Sequence, residues 1–216
     1  MERFLSRPAW LLFAPLGLLV VVANIGCSIV ATGLWAIDPN DRTAEYDGLK
    51  KQRVVVVCRQ TNSLEYRNSG VAKVLGVQVA KKLKDEVKEI EIVPQSDVDD
   101  WLDNNELVSY IEIGKALQAD KVVAIDLENF NLFQGSTLFQ GQAAAQVVVF
   151  DVATEEEVFE RVPLETLYPP STPVARDSSV SEALFRRKFV EVLADQIART
   201  FYPHDSRQAN AKDIFF

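Results

Sequence analysis

The segment Glu106–Phe130, ELVSYIEIGKALQADKVVAIDLENF, leaves the chain few ways to fold, because it joins a helix, a sharp turn and a buried strand in one unit. Ser109 and Glu112 have the spacing of a capping box, and Ile113, Ala116 and Leu117 recur at the interval that places apolar residues on one helical stripe. Gln118, Ala119 and Asp120 break that pattern. Val122, Val123, Ala124 and Ile125 then form a short apolar run rich in β-branched residues, as expected of a central strand covered on both faces. From Asp126 the apolar residues Leu127, Phe130 and Leu132 are interleaved with Glu128, Asn129 and Asn131, so the strand continues half in water.

The flanking segments repeat these signals. Asp38 to Gln52 is polar, contains Pro39 and Gly48, and reads as a tether. Val54 to Cys58 is a first core strand. A helix follows, capped by Asn68 or Ser69, with Val71, Val74, Leu75, Val79 and Leu83 as its apolar stripe. Ile90 to Val93 is a short strand stopped by Pro94, and Ser96 with Asp99 caps a further turn carrying Val98, Trp101 and Leu102. After the central unit, the turn Gln134 to Thr137 joins two long runs, Val122 to Phe133 and Leu138 to Asp151, with Gly135 supplying a positive φ. Small residues Ala143 to Ala145 imply that a covering helix approaches closely there. Glu156 to Leu164 returns as an edge strand marked by Pro163, and Tyr168 to Ser179 is a Pro- and Ser-rich loop. Ser179 with Glu182 opens a last helix, Val180 to Phe201, that buries Leu184 or Phe185, Phe189, Leu193 and Ile197 and exposes Arg186, Arg187, Lys188, Glu191 and Asp195. His204 to Phe216 reads as a flexible tail.

The expected fold class is therefore α/β (α+β): a single mixed β-sheet of about five strands with a long hairpin, covered by three to four helices, behind an N-terminal membrane-targeting helix. The expected division is 1–26 leader or anchor, 27–52 tether, 53–203 α/β domain and 204–216 tail. A domain of about 150 residues buries enough surface to fold without staples. Net charge of −8 and the lack of a basic footprint exclude nucleic acid. The lysines Lys73, Lys81, Lys82, Lys84 and Lys88 are interrupted by Asp85, Glu86 and Glu89 and read as a solvated helix face.

Ahead of the domain, Arg3 and Arg7 precede an uncharged stretch from Ala9 to Ile37 with an apolar centre at Leu11 to Val22. Acidic residues Asp38, Asp41, Glu45 and Asp47 follow it, so the domain faces away from the cytoplasm. The Ile25-Gly26-Cys27 sequence resembles the lipobox of bacterial lipoprotein precursors. In that family a small residue, here Gly26 at the cleavage site, precedes a cysteine, here Cys27, that is acylated after cleavage. Asn24 stands where the family prefers an apolar residue, and an uncleaved spanning helix stays open as the alternative. With Cys27 lipidated, Cys58 has no partner for a disulfide and reads as a small buried hydrophobe.

The order of elements, and the phrase IGKALQADKVVAIDL with Ile113, Gly114, Leu117, Ala119, Asp120, Val122 and Val123, resemble the small α/β domain of a group of envelope lipoproteins. The group includes the curli secretion lipoprotein, the lipoprotein activator of penicillin-binding proteins and the N-terminal domain of TolB. The resemblance implies a domain that binds envelope proteins or assembles with itself, outside the cytoplasm.

An enzyme is not expected. His204 is the single histidine and lies in the tail, Cys58 lies in a core strand, and no nucleophile and base are placed together. Asp97, Asp99, Asp100 and Asp103 beside Trp101 lack calcium-loop spacing, and SGVAKVLG lacks the P-loop ending. No cofactor, metal or small-molecule substrate is implied. The reading is a membrane-anchored, non-catalytic interaction or assembly module of the cell envelope; the alternative is a ring-forming subunit of a transport or secretion apparatus. Its expected contact residues are Phe133, Gln134, Gly135, Leu138 and Phe139 on the hairpin and Tyr168, Pro169 and Pro170 on the Pro-rich loop.

Overall fold

The computed structural model describes residues 41–61, 70–176 and 180–206. The leader, Gly26, Cys27, the caps expected at Asn68, Ser69 and Ser179, and the end of the tail lie outside the described residues.

The chain runs β1 (Asp41–Arg42), β2 (Arg53–Gln60), α1 (Val71–Glu86), β3 (Glu91–Ile92), α2 (Gln95–Asn104), α3 (Tyr110–Ala116), β4 (Lys121–Gln134), β5 (Leu138–Asp151), β6 (Glu156–Tyr168), β7 (Val174–Ala175), α4 (Glu182–Ala198), a 3-10 turn (Arg199–Phe201) and β8 (His204–Asp205). The main sheet has the order β3-β2-β4-β5-β6, with β7 added to β5 at the hairpin end. β2 pairs in parallel with β3 and β4, while the β4–β5 and β5–β6 pairs are antiparallel. This is the mixed sheet the sequence implies. Each arm of the β4–β5 hairpin has 14 residues, and Gly135 turns it at φ 66.

The central unit folds as its pattern dictates. Ser109 caps α3 by accepting from the Ile111 amide, and Asp120 accepts from the Arg53 amide at 2.7 Å, which fixes the turn against the start of β2. Val123, Ile125 and Leu127 point to one face of the sheet, and Val122 to the other. The first face is covered by α1 and α4, whose Leu75, Val79, Leu83, Phe185, Phe189, Leu193 and Ile197 are fully buried. The second is covered by α2 and α3 only over β2 and the start of β4, where Val55, Val57, Val93, Val98 and Ile113 form a smaller core.

Four local expectations change. Residues 41–52 belong to the domain rather than to a tether, and residues 204–205 pair with them: Leu49 is fully buried, Tyr46 packs on Phe159 at 5.1 Å, and β1 pairs with β8. Two apolar side chains and two backbone bonds from Glu45 and Tyr46 to the Thr200 carbonyl suffice to fold a mostly polar segment back. The compact unit accordingly begins at Asp41. Pro94, not Ser96, stands at the N-cap of α2, because its fixed φ suits a helix entry. Gly70 precedes α1 at φ 89 without a side-chain cap, and Ser181 caps α4 by accepting from the Leu184 amide at 3.2 Å. Asp195 is buried rather than solvated: it bridges Lys82 of α1, at 2.5 Å, and Arg199, so the two helices are pinned by a charge cluster.

Candidate interaction surface

The hairpin and the Pro-rich loop, distant in sequence, are joined at one end of the sheet. β7 lies inside that loop, which therefore carries a short strand, and pairs antiparallel with β5 through Leu138↔Ala175 and Phe139↔Val174. Arg176 completes the join. Its guanidinium lies over the rings of Phe133 (4.7 Å) and Phe139 (5.4 Å) and donates to the Ser136 carbonyl at 2.8 Å. Gln140, buried, donates to the Pro169 carbonyl at 3.1 Å, and the Tyr168–Pro169 peptide is cis.

The expected contact residues divide by burial. Gln134, Gly135 and Pro170 are exposed, and Phe133 and Leu138 are half-buried at the rim. Phe139, Tyr168 and Pro169 are buried, which removes them from any surface. Phe139 stacks on Phe185 at 4.9 Å, and Tyr168 lies beside Phe185 and Phe189 at 6.1 and 6.4 Å. Their alternation in the strands, with Phe139 and Tyr168 on the α4 face, carried that information, since β6 runs on to Tyr168 instead of ending at Leu164. The exposed remainder is a small polar rim, not an aromatic patch.

A second group of polar side chains gathers on the opposite face, where the covering by α3 ends. Asp126 accepts from Arg59 Nε at 2.7 Å and from the Tyr110 hydroxyl at 2.8 Å, and Tyr110 stacks on Phe150 at 5.6 Å beneath the Arg59 guanidinium. Burial, with the bond to Asp126, pushes the Tyr110 hydroxyl well above the usual phenol range. Burial, with Asp126 nearby, likewise pushes the Cys58 thiol far up, so at neutral pH it is a thiol and not a nucleophilic thiolate. Among the described residues no group of three or more His, Cys, Asp or Glu side chains is arranged to hold a metal ion. Of the acidic cluster, Asp99 pairs with Lys73 at 2.8 Å. No helix among the described residues is long and apolar enough to cross a membrane.

The described residues define an α+β domain with a mixed sheet and two unequal helical layers. No protein-family model matches the chain, and no curated protein does. Similar solved structures include the PelC dodecamer from Paraburkholderia phytofirmans (TM-score 0.46, 10% identity, 74% of this chain and 93% of that one). They also include lipoprotein GNA1162 from Neisseria meningitidis (0.41, 13%, 68% and 97%) and the LpoB C-terminal domain from Salmonella enterica (0.40, 15%, 56% and 87%).

Proposed function

We propose that the chain is a membrane-anchored, non-catalytic protein-interaction module of a bacterial cell envelope, lipidated at Cys27 after cleavage at Gly26, with the domain on the extracytoplasmic side. The observation that carries this reading is the uncharged stretch Ala9–Ile37, with Arg3 and Arg7 before it and Gly26-Cys27 within it, placed directly ahead of a compact unit that begins at Asp41. Anchoring supplies what such a module needs. A domain confined to a membrane meets its partners at a high effective concentration, so modest contact surfaces suffice.

Intact mass of the protein purified from its native membrane, beside a Cys27→Ser form, tests it. The expected result is a wild type that begins at an acylated Cys27 and a variant that retains residues 1–26. Retention of Met1 without lipid in both forms refutes lipidation and makes the segment a spanning helix. Recovery of the wild type in the soluble fraction refutes the anchor altogether.

A further inference from the structure

We infer that the open half of the sheet is the seat for helix α1 of a second copy of this chain. The helical layer formed by α2 and α3 stops at the Tyr110–Phe150 stack, and beyond it the outer face of β4, β5 and β6 has no covering element among the described residues. The register defines what that face presents. Glu128, Ala144 and Glu165 form one cross-strand row, Asp126 lies opposite Gln146, Val148 opposite Glu160 and Gln142 opposite Leu167. The middle strand is thus a lane of neutral side chains, flanked on β4 and β6 by carboxylates. Glu128, Glu160 and Glu165 make no ion pair among the described residues. Val162 and Leu167 are 83% and 42% exposed along the same edge, and a recess of about 490 Å³ opens between Ala144, Glu165 and Leu167.

The complementary surface is on α1. Its buried side uses Val71, Leu75, Val79 and Leu83, and its opposite side carries Val74 and Val77, 48% and 44% exposed, followed by Lys81 and Lys84. The spacing 74, 77, 81, 84 is one face of a helix. Lys81 and Lys84 make no ion pair among the described residues. Sizes agree. From Val74 to Lys84 the helix rises about 15 Å, and its width with side chains is about 10–12 Å. The lane from Gln142 to Val148 is about 20 Å long, and the acidic strands on either side of it are about 10 Å apart. The valines lie along the neutral lane toward Val148, and the lysines one and two turns on reach the row of Glu128 and Glu165.

Helix stripe and sheet face are different surfaces, so the contact is head-to-tail and builds a ring or a filament rather than a closed dimer. The inference rests on the reading of the domain as an interaction module, and its test is separate from that of the anchor. The full chain in mild detergent is measured by light scattering, with detergent mass subtracted, in three forms: wild type, Lys81→Glu with Lys84→Glu, and Glu128→Lys with Glu165→Lys. The expected wild type is a multiple of the monomer mass and dissociates as salt is raised. Each variant alone is expected to be monomeric, since like charges now face each other. An equimolar mixture is expected to regain the wild-type mass, because the two unaltered surfaces pair as before and the two charge-reversed surfaces are again opposite in sign. That recovery also shows that both variants fold. A monomeric wild type, variants that assemble as the wild type does, or a mixture that stays monomeric overturns the inference.

Discussion

At Gly141 the Phe189 ring of the covering helix α4 lies directly against the strand. A Cβ built there lies 2.6 Å from two carbons of the Phe189 ring, against about 3.5–4.0 Å for unstrained carbon contact, so alanine requires a shift of about 1 Å. The ring has little room to give. It is fully buried, 5.2 Å from Phe130 and 6.4 Å from Tyr168. Gly141→Ala should therefore cost about 2–3 kcal/mol, toward the upper end for overpacking a core. In a Phe189→Ala background, itself worth about 3–5 kcal/mol, the same change should be neutral or stabilise by about 0.5–1 kcal/mol, because alanine loses less backbone entropy in a strand than glycine. The coupling read from the cycle is then about 2–4 kcal/mol. Urea unfolding followed by far-UV circular dichroism measures all four proteins. An equal cost of Gly141→Ala in both backgrounds would refute the collision and place the role of Gly141 in the backbone instead.

The charge cluster and one ion pair give two further expectations. Asp195→Ala should lower stability by about 2–4 kcal/mol, because it leaves Lys82 and Arg199 facing each other between α1 and α4 without their carboxylate; the urea midpoint reads it. Asp151 is held below the ordinary carboxylate range first by its bond to Lys121, then by the amide of Thr154 and, after a small opposing desolvation, that of Ala153. A depressed folded value stabilises above the unfolded value of about 3.9 and is lost as pH falls through the folded one. Asp151→Asn should therefore flatten the loss of stability below about pH 4, and an unchanged acid limb would count against the pairing.

The regular parts of this fold were legible because their signals are local. Alternation in Val122–Phe133 and in Leu138–Asp151, a glycine between them and a proline in the next strand define hairpin and edge without reference to anything distant. The rest was settled across the fold. Tyr46 and Leu49 look isolated in a polar segment, and only the groove beside Phe159 and Phe201 makes them core. Asp195 has the period of a solvated residue until Lys82, 113 positions away, is placed beside it. The close approach expected at Ala143–Ala145 is seen instead at Gly141, two residues earlier on the same face of β5 as Ala143 and Ala145, where the large ring of Phe189 sets the contact. The contact surface was the least legible part. Phe139 and Tyr168 carry the residue types of an exposed anchor, yet strand parity assigns both to the core.

That parity also separates the residues that hold this domain together from those left on its open face. Most of the large buried side chains of β4, β5 and β6 point toward α1 and α4, so those two helices hold the hairpin and its return strand by one face alone. The short α2–α3 layer closes the other face only over β2 and the start of β4. The outer ends of the long strands are therefore free of packing duty, and glutamate, glutamine and alanine can occupy them at little cost to stability. Substitutions at Glu128, Glu165 or Val162 should accordingly alter what the domain touches while leaving its unfolding transition in place. The same changes made one residue along, at Leu127, Thr166 or Arg161, fall on the α4 face and should act on folding first.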